Sequence, residues 1–294
     1  MEPGNESHRI GAVYPQTEMG GRPDNACQFA GEIARAGLRH LLAYDHVLGA
    51  THDAREPALT GPYTENDPFH DPITLFAYLA GLVPDLEFVP GVLVLAQRQT
   101  ALVARQVADL SLLSGGRVRL GVGTGWNPVE FEALGVAFAD RGRRMDEQID
   151  VLRRLWTGEV VDLSGEFHRI DRAALNPVPE VPVAIWVGGN HDRALRRAAR
   201  VGDGYLASSS APDQFERLST MKRFLDEAGR PSSEFGFDAL IRIAGPPAAA
   251  ARVGLDWFEA GGTHASIVSL GRGLPTVDAH LEYVIEVADL MAKG

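Results

Sequence analysis

The sequence predicts an α/β chain folded as a (β/α)8 barrel, the TIM-barrel architecture. Three observations lead there. Short apolar runs alternate eight times with longer helical patterns across 294 residues, a length that suits one closed eight-fold barrel. The first turn, Pro15-Gln16-Thr17, contains no GxGxxG, so a doubly wound open sheet lacks its usual phosphate-binding turn. The run Leu86 to Leu95 is almost unbroken in apolar residues, the pattern of a strand buried on both faces of a parallel sheet.

Ile10 to Tyr14 is the first strand, and a helix over 25–36 follows behind the N-cap Asp24 and stops at Gly37. His40 to Tyr44 is the second strand. A polar, proline-rich loop over 49–72 then precedes a helix over 73–82, and a loop that long is usually functional. The third strand, 86–95, leads to a helix over 100–113 that ends at Ser114-Gly115-Gly116. Strand four is 117–122 and its helix is 140–156. Between Val160 and Ile170 the pattern breaks into a hairpin around Ser164 and Gly165, an insertion placed at about 158–182 within a single domain spanning 1–294. The series resumes with strands at 183–187, 204–207, 238–243 and 263–269, followed by helices at 191–200, 212–228, 248–260 and 276–291.

Composition narrows the function. With 28 basic and 39 acidic side chains the net charge is −11, which argues against nucleic acid as a partner, because phosphate-backbone binding needs a basic face. No apolar run approaches the roughly 20 residues of a membrane span, and the N-terminus MEPGNESHRIGAVYP reads as neither signal peptide nor anchor. Cys27 is the single cysteine and has no disulfide partner in the chain, which suits a reducing cytoplasm. No GxSxG elbow and no HExxH occur, so hydrolase and zinc chemistry lack their parts and no metal is expected.

A barrel carries its chemistry just after the strands. After strand two come Asp45 and His46, a histidine able to exchange a proton near neutral pH beside a carboxylate that can set its tautomer. Strand three ends in Val92, Leu93, Val94 and Leu95, apolar support for a flat ring or plain core. Gly121, Gly123 and Gly125 alternate after strand four, where a ligand could approach the backbone closely, and Trp126 and Asn127 follow. Gly188, Gly189 and Asn190 lead into a helix bearing Arg193, Arg196 and Arg197, the pattern of a phosphate site at a helix start. Ser208, Ser209 and Ser210 offer hydroxyls to the same anion or cap the next helix. His52, His70 and Asp71 in the long loop read as solvated residues. A ring wall, an anion site and one titratable group together assign the chemistry to a bound cofactor and a small-molecule substrate.

The runs LLAYDHVLG, VPGVLVLAQRQTALVARQVADLSLLSGGRVRLGVGTGWNPVEFEALGV, RGRRMDEQIDVLRRLWTGE and VPVAIWVGGNHDRALRRAARVGDGY resemble the luciferase-like monooxygenase superfamily, in its coenzyme F420-dependent oxidoreductase branch. The resemblance implies a bacterial luciferase-like TIM barrel with an inserted segment. Its isoalloxazine-like ring would lie across the barrel mouth against a bulged strand end at Val92 to Leu95, where members often carry a non-proline cis peptide. Asp45 and His46 would sit near the reactive ring carbon, with His46 the acid or base. Gly123 and Gly125 would pass the ring, Trp126 and Asn127 would line the substrate pocket with Tyr63 of the long loop, and Gly188, Gly189, Asn190 and Ser208 would take the phosphate. Where some deazaflavin-using relatives carry a glutamate after the glycine turn, this chain has Trp126, and Glu130 is only a weak substitute. Members are often homodimers, and helices two and three offer an interface.

The leading reading is therefore hydride transfer between the deazaflavin C5 and a small organic substrate. An FMN-dependent monooxygenase using reduced flavin and O2 is the alternative. A catalytically silent flavin- or deazaflavin-binding protein is the reading from another class.

Overall fold

The computed structural model describes residues 8–208 and 213–294. Eight staves of parallel sheet close into a barrel with helices outside. The strands are β1 (Arg9–Val13), β2 (His40–Ala43), β3 (Glu87–Pro90), β4 (Leu93–Val94), β5 (Arg119–Gly123), β8 (Ala184–Gly188), β9 (Gly204–Ala207), β10 (Gly236–Ile241) and β11 (His264–Val268). Their order is β3-β2-β1-β11-β10-β9-β8-β5-β4, and a bridge from Phe88 to Val118 joins the two ends. An antiparallel hairpin, β6 (Val161–Ser164) and β7 (Arg169–Ala173), forms the insertion and runs three residues past the expected end.

Alternation along the strands divides the core into two layers. Leu41 and Ala43 of β2 join the large layer between barrel and helices, while Leu42 faces inward with Val13, Val89, Leu240 and Val268. The inner layer sits beneath the mouth.

The helices are α1 (Pro23–Arg35), α2 (Pro72–Ala80), α3 (Thr100–Ser114), α4 (Pro128–Ala133), α5 (Arg141–Leu155), α6 (Asp192–Val201), α7 (Asp213–Glu227), α8 (Pro247–Glu259) and α9 (Val277–Lys293). Four details depart from expectation. Arg22, not Asp24, is the N-cap of α1, because Pro23 takes the first helical position and leaves Asp24 in the first turn beside the helix dipole. Strand three is not continuous: the Gly91–Val92 peptide is cis and divides it into β3 and β4, and Leu95 begins a 3-10 turn. The short helix α4 was not read from the sequence, although Asn127 and Pro128 mark its start. Asp71 is no solvated loop residue, since its carboxylate caps α2 at Thr74 N, 2.9 Å away.

Candidate active site

A cleft of about 420 Å³ opens at the carboxyl ends of the strands, within the size range of small-molecule and cofactor sites. Its floor is made by close backbone approach. A Cβ on Gly123 or on Gly188 would lie 2.5 Å from a methyl carbon of Val92, so glycine at both places leaves room for the Val92 side chain between strands β5 and β8. Val94 lines the same cleft beside Gly125, whose φ of 70° is left-handed. Leu93 and Leu95 do not line it: both are fully buried in the layer between barrel and helices, because side chains alternate along an extended strand.

His46 stands at the edge of this cleft, largely buried by aromatic rings. Its imidazole meets Phe69, Tyr63 and Trp126 edge-on at centroid distances of 4.8, 5.1 and 5.6 Å. It also borders a neighbouring cavity of about 450 Å³ lined by Phe69, Gln97 and Leu102. The long loop thus folds back over the histidine instead of standing free in solvent. Gly61 lies against the Trp126 ring so closely that a Cβ there would fall 2.0 Å from a ring carbon.

The carboxylate beside His46 in space is not Asp45. Asp45 turns away, accepting hydrogen bonds from Val94 N (2.9 Å) and from Arg98 Nη2 (2.7 Å) and Nε (3.2 Å). Arg98 also reaches Asp71 at 2.8 Å, so one guanidinium ties the ends of strands two and three to the cap of α2. Burial pushes the Asp45 carboxyl above its ordinary range, against the pull of Arg98. Its place is to position the turn, not to orient the imidazole.

Glu130 stands beside the imidazole where Asp45 was expected. Its carboxylate, 2% exposed, is 3.4 Å from His46 Nδ1 and accepts from Val47 N at 2.6 Å and Leu48 N at 3.1 Å. Its two hydrogen bonds hold the turn that follows His46, and the same oxygen lies beside the Nδ1 edge of the ring. Sequence reading underrated it because Glu130 lies 84 positions from His46 and inside an unanticipated helix. The signal was present in Asn127-Pro128, which marks the start of α4 and so sets which way Glu130 faces.

Asn127 is also corrected. It is buried, caps α4 by accepting from Val129 N at 3.1 Å, and faces Leu48 O at 3.5 Å, so it does not line the cleft. Trp126 and Tyr63 do line it. Arg242, after β10, is a cleft residue that the sequence did not single out: it donates to Tyr44 Oη at 3.0 Å and has no carboxylate partner among the described residues. Burial raises the Tyr63 and Tyr44 hydroxyl pKa values, so both stay protonated.

On the opposite side Gly188, Gly189, Asn190 and Ser208 line the cleft. Ser208 Oγ donates to Asn190 Oδ1 at 3.2 Å and Tyr205 Oη donates to Gly189 O at 3.1 Å. Two of the three arginines expected to serve an anion here face elsewhere. Arg197 pairs with Asp146 at 2.8 Å, and Arg196 pairs with Glu227 at 2.8 Å over the Phe224 ring. Ser209 and Ser210 lie outside the described residues. Among the described residues no three His, Cys, Asp or Glu side chains converge as a metal site.

Residues 8–276 match the profile of the luciferase-like monooxygenase family. The chain belongs to this family. It is 43% identical over 171 residues to an uncharacterized protein of Mycobacterium tuberculosis, a match spanning 58% of this chain and 59% of that protein. It is 29% identical over 261 residues to the F420-dependent hydroxymycolic acid dehydrogenase of the same organism, covering 87% of this chain and 68% of the relative. Among solved structures, an F420-dependent secondary alcohol dehydrogenase in complex with an F420-acetone adduct superposes with a TM-score of 0.77 over 97% of this chain and 99% of that one, at 18% identity. At that identity the likeness shows the shared barrel alone. F420-dependent oxidoreductases and monooxygenases both occur among the relatives of this family member.

Proposed function

We propose that this luciferase-like protein is an F420-dependent oxidoreductase that moves a hydride between the deazaflavin and a small organic substrate. The observation that carries the reading is His46, held by Glu130 and three aromatic rings at the edge of a glycine-floored cleft. The residues present fit a flat ring: Val92 and Val94, seated against Gly123 and Gly125, offer it an apolar floor. Gly188, Gly189, Asn190 and Ser208 offer backbone and hydroxyl groups to a phosphate at the start of α6. When bound, the deazaflavin supplies C5 as the hydride donor or acceptor.

The chain's own residues handle the proton. With Nδ1 facing the Glu130 carboxylate, His46 keeps Nε2 to give a proton to the substrate oxygen or take one from it, according to the direction of reaction. Tyr63, Phe69 and Trp126 exclude water around the imidazole, and Arg98 through Asp45 keeps the strand-two turn in place. Holding substrate beside a fixed ring supplies rate by proximity. The same reading takes the protein as a homodimer through α2 and α3, which expose Tyr78, Leu102 and Leu113, with Leu82 exposed just past the end of α2.

Fluorescence titration tests the cofactor. Saturable binding of the deazaflavin, with turnover that His46→Ala removes while binding persists, supports the reading. Turnover that survives His46→Ala removes the histidine from its role. The family's monooxygenases keep the flavin alternative in view, since the cleft floor would take either ring: tight FMN binding with O2 uptake and no deazaflavin binding would establish it.

A further inference from the structure

Of the described residues that line the cleft, Arg242 is the only lysine or arginine and Asp45 the only aspartate or glutamate. Asp45 is committed to Val94 N and Arg98, and no carboxylate among the described residues pairs with Arg242. The cleft thus keeps one positive charge that the described residues do not answer.

The guanidinium is exposed to the cleft yet oriented. Its Nη2 donates to Tyr44 Oη at 3.0 Å, and the Tyr63 hydroxyl stands beside it. Tyr44 is anchored in turn: its side chain packs on the inner core layer of Val13, Leu42 and Leu240, and its carbonyl accepts from Gln16 Nε2 at 2.8 Å. Because Tyr44 Oη accepts from the arginine, its own hydrogen is left for a further acceptor. Cation and hydroxyl together offer donors, the complement of a group that only accepts.

Strand order sets where this pair stands. Arg242 follows β10 and Tyr44 follows β2, so their hydrogen bond spans β11 and β1, which lie across the barrel from β5 and β8 and their glycine floor. The Tyr63 ring neighbours both groups, 6.4 Å from the Tyr44 ring and 5.1 Å from His46. One aromatic ring therefore separates the free cation from the proton-transfer group, on the side of the cleft that faces the floor.

We infer that the substrate of this site is a small hydroxy acid or oxo acid, whose carboxylate pairs with Arg242 and the Tyr44 hydroxyl while its reacting oxygen meets His46. The inference rests on the hydride-transfer reading above. A single guanidinium balances one carboxylate, whereas a phosphate monoester of roughly −2 charge would be left half-neutralised here. In the oxidative direction the carbinol hydrogen leaves as hydride to the deazaflavin, the hydroxyl proton passes to His46 Nε2, and the hydroxy acid becomes the oxo acid. The carboxylate stays on Arg242 throughout and fixes which carbon is presented. With the Tyr63 ring between the two anchors, an acid with several carbons between carboxylate and carbonyl fits better than a 2-oxo acid.

The test measures, by calorimetry, the dissociation constants of 5-oxohexanoate and of 5-oxohexanamide, the same chain with a neutral amide in place of the carboxylate. Each is titrated into the protein saturated with the oxidised deazaflavin, a combination that cannot react, and into the cofactor-free protein. Wild type, Arg242→Gln and Arg242→Lys are compared. Charge-assisted hydrogen bonds predict that wild type binds the acid about 10-fold tighter than the amide, or more. The preference should disappear in Arg242→Gln, return in part in Arg242→Lys and shrink in high salt. Unchanged amide and deazaflavin binding by Arg242→Gln shows that it is folded. Equal wild-type affinities, or a preference that survives Arg242→Gln, overturn the inference and leave the hydride-transfer reading intact. Weaker deazaflavin binding by Arg242→Gln with the preference unchanged also overturns it, placing the arginine on the cofactor. Failure of the deazaflavin to bind overturns the cofactor reading, and titration of the cofactor-free protein then decides the carboxylate site by itself.

Discussion

The two ends of the barrel carry the same kinds of residue and do different things with them. At the mouth stand His46, Glu130, Asp45 and Arg98; at the floor stand His40, Asp238, Arg119, His264 and Ser266. On the floor the polar groups answer one another. His40 Nε2 is 2.8 Å from Ser266 Oγ, Ser266 donates to Asp238 at 3.0 Å, and Arg119 bonds Asp238 at 3.0 Å beneath the Trp186 ring. His40, Asp238, Arg119 and Ser266 are sealed from solvent and His264 is half-buried, and none of the five lines the cleft. At the mouth Asp45 and Arg98 spend their charges on each other although both border cavities, while His46 keeps an edge on the cleft and Arg242 keeps a charge there. A histidine and a carboxylate in contact therefore do not mark a site. An unshared valence facing a cavity does.

His46→Gln separates the two ends most strongly. Loss of a general acid or base should lower the rate of hydride transfer about 10²- to 10⁴-fold, followed by the absorbance change of the deazaflavin. Thermal stability should barely move. A variant destabilised as strongly as one at the floor would make His46 a packing residue and erase the distinction.

Arg119→Ala should do the reverse. Removing the guanidinium leaves Asp238 buried without its partner, at a cost of about 3–5 kcal/mol in urea unfolding. Cofactor affinity should be kept, because the change lies at the far end of the strands.

Acid should act on the floor next. Burial, with Arg119 beside it, holds His264 down to about 2, and burial also lowers His40 well below its ordinary value. Both are neutral in the fold and charge on unfolding, so their stabilisation is complete above pH 6.5 and is lost as pH falls below it. The slope reaches at most about 1.4 kcal/mol per pH unit for each histidine. Burial raises Asp238, whose protonation in the fold works in the opposite direction at lower pH. Urea titrations between pH 7 and 5 read the slope, and a flat profile would contradict the neutral state of this pair. The smallest effect is expected at Arg196→Ala, which removes an exposed pair with Glu227 and should change stability by less than about 1 kcal/mol.

Much of this was legible in order and little of it in facing. Short apolar runs alternating with helical patterns reveal a barrel, and with it the rule that functional residues follow the strands; His46, Trp126, Gly123 and Gly188 were reached in that way. Which of Val92, Leu93, Val94 and Leu95 face the cleft was not legible, because an apolar run buried on both sides carries no polar alternation and the Gly91–Val92 peptide resets the strand. Asp45 adjoins His46 in sequence, yet neighbours on extended chain point apart, and Arg98 takes the carboxylate.

The barrel, the succession of its strands, the glycine-rich strand ends and the likeness to the family could be read from the chain alone, because they depend on local periodicity and on short motifs. Folding was needed to show that Glu130 lies beside His46, that Asn127 caps a helix, and that Arg98 takes Asp45. Each of those depends on which of several chemically equivalent partners lies within hydrogen-bonding distance. That choice is made by closure of the barrel, which brings together positions tens of residues apart.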